Sequence, residues 1–184
     1  MDGDSVDIEY ECRVLEIDVD SFMKLLEDNG AIKIGEYFQK RNVYDFKPVD
    51  PNKWIRLRSN GDVVTLTLKK LEDRNSIEGT KELEIEVSSF EQTDAILNEL
   101  GYHSRTYQEN RRISYILDDV EIDIDTWPLI PTYAELEGKN REDIEKLIEK
   151  LNLDRNKITT YDVTSIYNEI YNIDIMKIKS LKLN

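Results

Sequence analysis

Carboxylates recur at every second position in several separate stretches: Glu9 and Glu11; Glu82, Glu84 and Glu86; Asp119, Glu121, Asp123 and Asp125; Glu135 and Glu137. Basic residues share that parity, with Arg13 two residues after Glu11, Arg56 and Arg58 as a pair, and Lys69 two after Thr67. A spacing of two puts residues on one face of a β-strand. Asp and Glu are poor strand formers and like charges on one face repel, so the pattern costs stability unless cations compensate. Hard cations such as Mg²⁺ take carboxylate oxygens and share their coordination sphere with substrate phosphates. Arginine's planar fork suits bidentate phosphate contact, which gives Arg56 and Arg58, with Lys69 beside them, a matching task. The residues fit a site for a polyphosphate together with metal ions. For any one strand the competing reading is an ordinary amphipathic sheet with its charged side in water. Repetition from strand to strand weighs against it.

The elements that position these residues are mostly strands. Ile8 to Val14 alternates, with Ile8, Tyr10 and Cys12 on the face opposite the charges. A short helix follows from about Asp20 to Asn29, capped by Asp20 and stopped by Gly30. Residues 32–46 read as extended, and Trp54 to Leu71 as a hairpin folded at Asn60-Gly61. A strand near Lys81 to Ser88 leads to a helix from about Phe90 to Leu100, where Ser89 and Gln92 have capping-box spacing. Alternation resumes to Leu117, turns at Asp118-Asp119 and returns through Asp125. Tyr133 to Glu137 is a last short strand, followed by an Asn140-capped helix with Ile144, Leu147, Ile148 and Leu151 on its apolar face. A further helix is expected from about Asp162. The apolar faces (Ile55, Leu57, Leu66, Leu68, Leu83, Ile85, Val87, Ile122, Ile124, Leu136) are expected to pack on apolar partners.

About eight antiparallel strands favour an α+β chain built on a closed antiparallel β-barrel, with helices outside and a helical C-terminal segment. If the charged face turns inward, the interior is a polar tunnel; a barrel of about eight strands has no room for the helices inside. With 184 residues and 39% hydrophobic content, residues 1–184 are expected to form one domain. The net charge of −14 argues against nonspecific binding to nucleic acid or an anionic membrane. It leaves a local anion site open, because bound cations reverse the sign of a carboxylate cluster. No apolar run is long enough to span a bilayer, the start Met1-Asp2-Gly3-Asp4 is acidic, and the single cysteine, Cys12, forms no intrachain disulfide. A cytoplasmic protein, monomer or homodimer, is expected.

Taken in order, the motifs resemble those of the CYTH superfamily, the triphosphate tunnel metalloenzymes, which includes class IV adenylate cyclases, thiamine triphosphatases and inorganic triphosphatases. The resemblance covers nearly the whole chain. Glu9-Tyr10-Glu11-Cys12-Arg13 is similar to the family's Glu-x-Glu-x-Lys, with arginine for lysine. Tyr44-Asp45, Trp54-Ile55-Arg56-Leu57-Arg58, Leu66-Thr67-Leu68-Lys69 and Glu82-Leu83-Glu84-Ile85-Glu86-Val87 follow. Leu100-Gly101-Tyr102, Glu109-Asn110-Arg111-Arg112, Asp123-Ile124-Asp125 and Glu135-Leu136-Glu137-Gly138 complete the series, with Asn110 where relatives carry a basic residue.

The resemblance implies that Glu9, Glu11 and Arg13 serve catalysis. It implies Glu9, Glu11, Glu84, Asp123, Asp125, Glu135 and Glu137 as metal ligands or their supporting carboxylates, for Mg²⁺ or Mn²⁺. Arg13, Arg56, Arg58, Lys69 and Arg112 are implied to hold phosphate oxygens. Arg111 has the opposite strand parity and is expected to point away. The implied activity is metal-dependent hydrolysis of a triphosphate-bearing small molecule: inorganic tripolyphosphate, thiamine triphosphate or a nucleoside triphosphate. Cyclisation of ATP to cyclic AMP is the close alternative, and a non-catalytic module binding polyphosphate or nucleotides is the alternative of another class. No catalytic triad is found; His103 reads as structural, and Trp54 and Trp127 as packing or rim residues.

Overall fold

The computed structural model describes residues 7–71 and 80–183 of the chain, and no side-chain detail for residues 7–9, 71 and 80. The Met1-Asp2-Gly3-Asp4 start lies outside that range. The elements run β1 (Asp7–Val14), α1 (Val19–Asp28), β2 (Ile32–Asp45), β3 (Lys53–Ser59), β4 (Val64–Leu71), β5 (Thr80–Glu86), α2 (Phe90–Glu99), β6 (Ser104–Leu117), β7 (Val120–Thr126), β8 (Tyr133–Gly138) and α3 (Arg141–Lys150). Two-residue strands β9 (Ile158–Thr159) and β10 (Ser180–Leu181) flank a last helical stretch containing α4 (Val163–Ser165). The chain is α+β, built on a mostly antiparallel sheet.

Strand pairing follows β10-β6-β2-β3-β4-β5-β1-β8-β7, with β9 on β1. β6 is long enough to serve two neighbours. It pairs with β2 from Ile32↔Ile116 to Tyr44↔Ser104, and with β7 from Leu117↔Val120 to Arg111↔Thr126. β1 divides likewise, meeting β5 at Asp7↔Glu82 to Glu9↔Thr80 and β8 from Tyr10 to Val14. The β6–β7 hairpin turns on Asp118 and Asp119, with φ of 51° and 63°. Asp tolerates this left-handed region, and a two-residue turn with both φ positive matches strand twist.

The helices stand where local capping starts them. The Ser89 side chain accepts from the Gln92 N–H at 3.2 Å and that of Asn140 from the Asp143 N–H at 3.0 Å, as the sequence spacing predicts. For α1 the cap is Asp18, accepting from the Ser21 N–H at 3.0 Å, and not the expected Asp20, which falls in the first turn. In the β3–β4 hairpin Ser59 pairs with Val64, so the turn takes four residues; Asn60 Oδ1 accepts from the Asp62 and Val63 N–H groups. The helix expected from Asp162 begins there as α4, then widens to π-helical winding over Ile166–Ile170.

Outer-face apolar residues bury under the helices. Cys12, Ile122, Ile124 and Leu136 pack with Ile144, Leu147 and Ile148 of α3 and Phe22 and Leu26 of α1. Tyr44 and Leu57 pack with Phe90 and Leu97 of α2. On β5 the expectation of an apolar partner fails among the described residues, where Leu83 and Ile85 are 47% and 55% exposed. The helix that follows, α2, packs against β3 instead. At the other end of β7, Trp127 and Tyr133 join Ile166, Tyr167, Ile175 and Leu181 of the C-terminal segment in a third cluster. No described helix is long and apolar enough to cross a membrane.

Candidate functional site

Cross-strand register assembles the charged face into two walls. On the first, β1 and β8 set Glu11 opposite Glu137 and Arg13 opposite Glu135, β7 brings Asp123 opposite Glu135, and β6 brings Arg112 opposite Asp125. Arg13, 5% exposed, lies 3.1 Å from Glu11, pairs with Glu135, and donates through Nη1 to the Tyr161 carbonyl at 2.9 Å. Arg112 donates through Nε and Nη2 to the two Asp125 oxygens at 2.9 and 2.5 Å, pairs with Asp123, and lies 3.3 Å from Glu135. Burial works against the charge on both arginines, yet the carboxylates outweigh it and raise both pKa values well above the ordinary one. Glu135 is the counterpart: burial raises its pKa, but Arg13 and Arg112 hold it below the usual carboxylate range. At Asp123 burial wins over Arg112 and Ser114, and the carboxyl is pushed up to about 6.

Glu11, Glu135 and Glu137 bring carboxylate oxygens within 4.8 Å of one another. Oxygens bound to a common Mg²⁺ or Ca²⁺ at about 2.0–2.6 Å lie at most about 5 Å apart, so the three fit one divalent cation. They stand on two adjacent strands, which fixes their spacing. Arg13 is the cation that Glu11 and Glu135 share.

The second wall is basic. Arg56 lies 3.3 Å from Glu84 and 3.5 Å from Glu82, Arg58 lies 3.8 Å from Glu84, and Lys69 pairs with Glu82. Thr67 donates to Glu84 at 2.5 Å. Repulsion from Arg56, then burial, pushes Arg58 down to about 9. β2 adds a guanidinium that sequence reasoning missed. Arg41, 7% exposed, stands opposite Arg58 in the β2–β3 register. Its Nη2 donates to Gln39 Oε1 at 2.7 Å and to Asn110 Oδ1, and its guanidinium lies 4.5 Å from the centre of the Trp127 ring. Among the described residues no carboxylate comes within 4.0 Å of it, and its buried Nε has no hydrogen-bond partner. Burial first, then Arg56 and Arg58, pushes its pKa down to about 9. A desolvated cation–π contact contributes about 2 kcal/mol, against a desolvation cost of several kcal/mol per buried ion. Two side-chain amides and a ring therefore leave this cation under-compensated. The sequence carries no clean signal for it, because Lys40 and Arg41 are adjacent cations in a strand whose register against β6 shifts between Val43 and Tyr44.

A cavity of about 240 Å³ is lined by both walls, through Arg58, Arg112 and Asp123, together with Tyr37, Gln39 and Ser114. Of the site residues expected from sequence, Glu11, Arg13, Asp123, Asp125, Glu135 and Arg112 meet on the first wall, with Glu137 beside them at the carboxylate trio. Arg56, Arg58, Lys69 and Glu84 meet on the second. Asp123 and Asp125 engage Arg112, and Glu84 engages Arg56 and Arg58; none of the three stands in the carboxylate trio. Glu9 lies in β1 opposite Thr80, with its side chain outside the described part. Arg111 is exposed, as its parity predicts. His103 is exposed and bonds Asn98, and Trp127 is buried edge-on to Tyr167 at 6.4 Å.

The fold is thus a mostly antiparallel sheet with paired guanidinium and carboxylate groups on one face. The chain belongs to the CYTH domain family, whose profile matches residues 7–171. Solved structures agree in fold. A conserved hypothetical protein from Pyrococcus furiosus superposes with a TM-score of 0.74 at 20% identity, covering 84% of this chain and 97% of its own. A Vibrio parahaemolyticus protein, provisionally named an adenylate cyclase, gives 0.73 at 12% identity over 89% and 99%. HpAC1 from Hippeastrum, provisionally named an adenylyl cyclase and described as having a dominant triphosphatase activity, gives 0.59 at 14% over 91% and 96%. No curated protein matches at the level of sequence.

Proposed function

We propose that the chain is a divalent-metal-dependent phosphohydrolase acting on a triphosphate-bearing small molecule, held in a tunnel that the strands close around. The pairing of β6 with both β2 and β7 supports closure. The observation that carries the reading is that the oxygen trio Glu11, Glu135 and Glu137 shares the charged face with Arg58 and Arg112, whose side chains line the cavity, Arg112 lying 3.3 Å from Glu135 of the trio. In this reading Glu11, Glu135 and Glu137 hold the metal, with Glu9 extending the set from β1. The bound ion, Mg²⁺ or Mn²⁺, would neutralise charge on the phosphate oxygens and activate water.

The chain's own groups do the positioning. Arg56, Arg58 and Lys69 receive phosphate oxygens from one side, and Arg112 from the other, its plane fixed by the two-point contact with Asp125. Arg13 holds Glu11 and Glu135 at their spacing and, with Arg112, keeps Glu135 ionised. Burial of these groups excludes bulk water, which strengthens each contact. No nucleophilic side chain is needed.

Phosphate release from tripolyphosphate, thiamine triphosphate and ATP, with Mg²⁺ or Mn²⁺ and with chelator, tests the reading. Metal-dependent release supports it. Cyclic AMP from ATP would establish the cyclase reaction in its place, and binding without either product would leave a non-catalytic module.

A further inference from the structure

On the charged face, like charges stand directly opposite one another across neighbouring strands at Arg41 against Arg58, a basic pair, and at Glu11 against Glu137, an acidic one. Directly opposed like charges destabilise a sheet. The acidic pair has Arg13 beside it and calls for a cation. The basic pair calls for an anion. Arg58 has Glu84 at 3.8 Å, whereas Arg41 meets only the amides of Gln39 and Asn110 and the ring of Trp127 among the described residues.

We propose that Arg41 is a phosphate-binding residue of this site, its guanidinium acting with that of Arg58 as a two-pronged donor to one phosphate group of the ligand. The inference rests on the proposed triphosphate reading and adds a residue and a depth to it. Arg41 is buried, its Nε proton is unclaimed, and Gln39, which lines the cavity beside Arg58, is hydrogen-bonded to it. The Trp127 ring against its guanidinium is itself packed edge-on by Tyr167, which braces the group. Asn110 and Gln39 hold its plane by accepting from Nη2, which leaves the Nε edge for an incoming oxygen. The position is built to keep a cation in place without neutralising it. Its low pKa follows from the same imbalance, and an arriving polyanion would reverse it.

A merely structural role, a strut stacked on Trp127, gives different results. Inorganic tripolyphosphate is titrated into wild type, Arg41→Gln, Arg41→Lys and the exposed-site control Arg111→Gln, once in EDTA and once in Mg²⁺, by calorimetry and thermal shift. Arg41→Gln is expected to weaken binding on the order of 10- to 100-fold, the range of a charge-assisted hydrogen bond. Arg41→Lys should fall between it and wild type, since it keeps the charge and loses the fork. Arg111→Gln should bind as wild type. The ligand-free Tm of Arg41→Gln should equal or exceed that of wild type, because a buried, poorly compensated charge has gone. Wild-type affinity in Arg41→Gln, with a lowered Tm, overturns the inference and leaves the triphosphate reading standing. Wild type that binds tripolyphosphate in neither condition overturns that reading, and this inference with it.

Discussion

The two walls of the inner face solve the problem of buried charge differently. On the β1, β8, β7 and β6 wall each guanidinium has carboxylates around it: Arg13 has Glu11 and Glu135, and Arg112 has Asp123, Asp125 and Glu135. On the β2 and β3 side, Arg41 and Arg58 oppose each other and both are pushed down to about 9. On the first wall five carboxylates surround two guanidinium groups, so each guanidinium is compensated within the protein; Arg41 on the second is compensated only when something negative arrives. Removing a cation from the first wall should damage the fold, and removing one from the other should damage binding while relieving the fold.

The largest effect is expected for Arg112→Gln, which leaves Asp123, Asp125 and Glu135 buried without their common cation. A loss of about 3–5 kcal/mol of stability is expected in urea unfolding. A loss below 1 kcal/mol would break the contrast between the walls. Next comes Asp123, whose folded pKa of about 6 stands above the ordinary 3.8. Folding favours its protonated form, so its contribution is complete below about pH 4 and is lost as pH rises through about 6. Asp123→Asn should flatten that part of the Tm–pH profile, by about 2–3 kcal/mol between the limits. An unchanged profile would remove Asp123 as its source.

Arg58→Gln probes the basic wall. Tripolyphosphate affinity should fall on the order of 10- to 100-fold while the ligand-free Tm holds or rises. A large Tm loss would place Arg58 with the structural group. The smallest expected effect is that of Glu11→Gln: the Mn²⁺ concentration for half-maximal activity, or for half-saturation of the Mn²⁺ resonance signal, should rise about tenfold. No change in either would separate Glu11 from the carboxylate trio.

Much of this arrangement was legible in alternation. Parity put Glu11, Arg13, Arg56, Arg58, Glu84, Asp123 and Glu135 on one face, and set Arg111 and Arg112 on opposite ones, because in a strand the side of a residue follows from counting by two. Counting failed where a strand carries no clean apolar–polar contrast. In β2, Lys40 and Arg41 are adjacent cations, and the register against β6 shifts between Lys33 and Gly35 and again between Val43 and Tyr44. Which of the two cations turns inward is then fixed by pairing with β3 and β6, a long-range matter. The unpartnered Leu83 and Ile85 were illegible for a related reason: an apolar stripe states what could be covered, and the length and direction of α2 decide what is. The cap of α1 at Asp18 instead of Asp20 shows how two acidic residues close together leave a helix start ambiguous by a turn.

Cys12 lies on the reverse side of the same strand that carries Glu11 and Arg13, 1% exposed beneath α3, with burial pushing its thiol up to about 12. Thiolate is the form that alkylating reagents attack, so the folded chain offers them almost nothing. As the only cysteine, it makes the protein its own clock for opening: the rate of iodoacetamide uptake counts how often α3 lifts from β1. That rate can be read without a dye, a tag or an introduced residue.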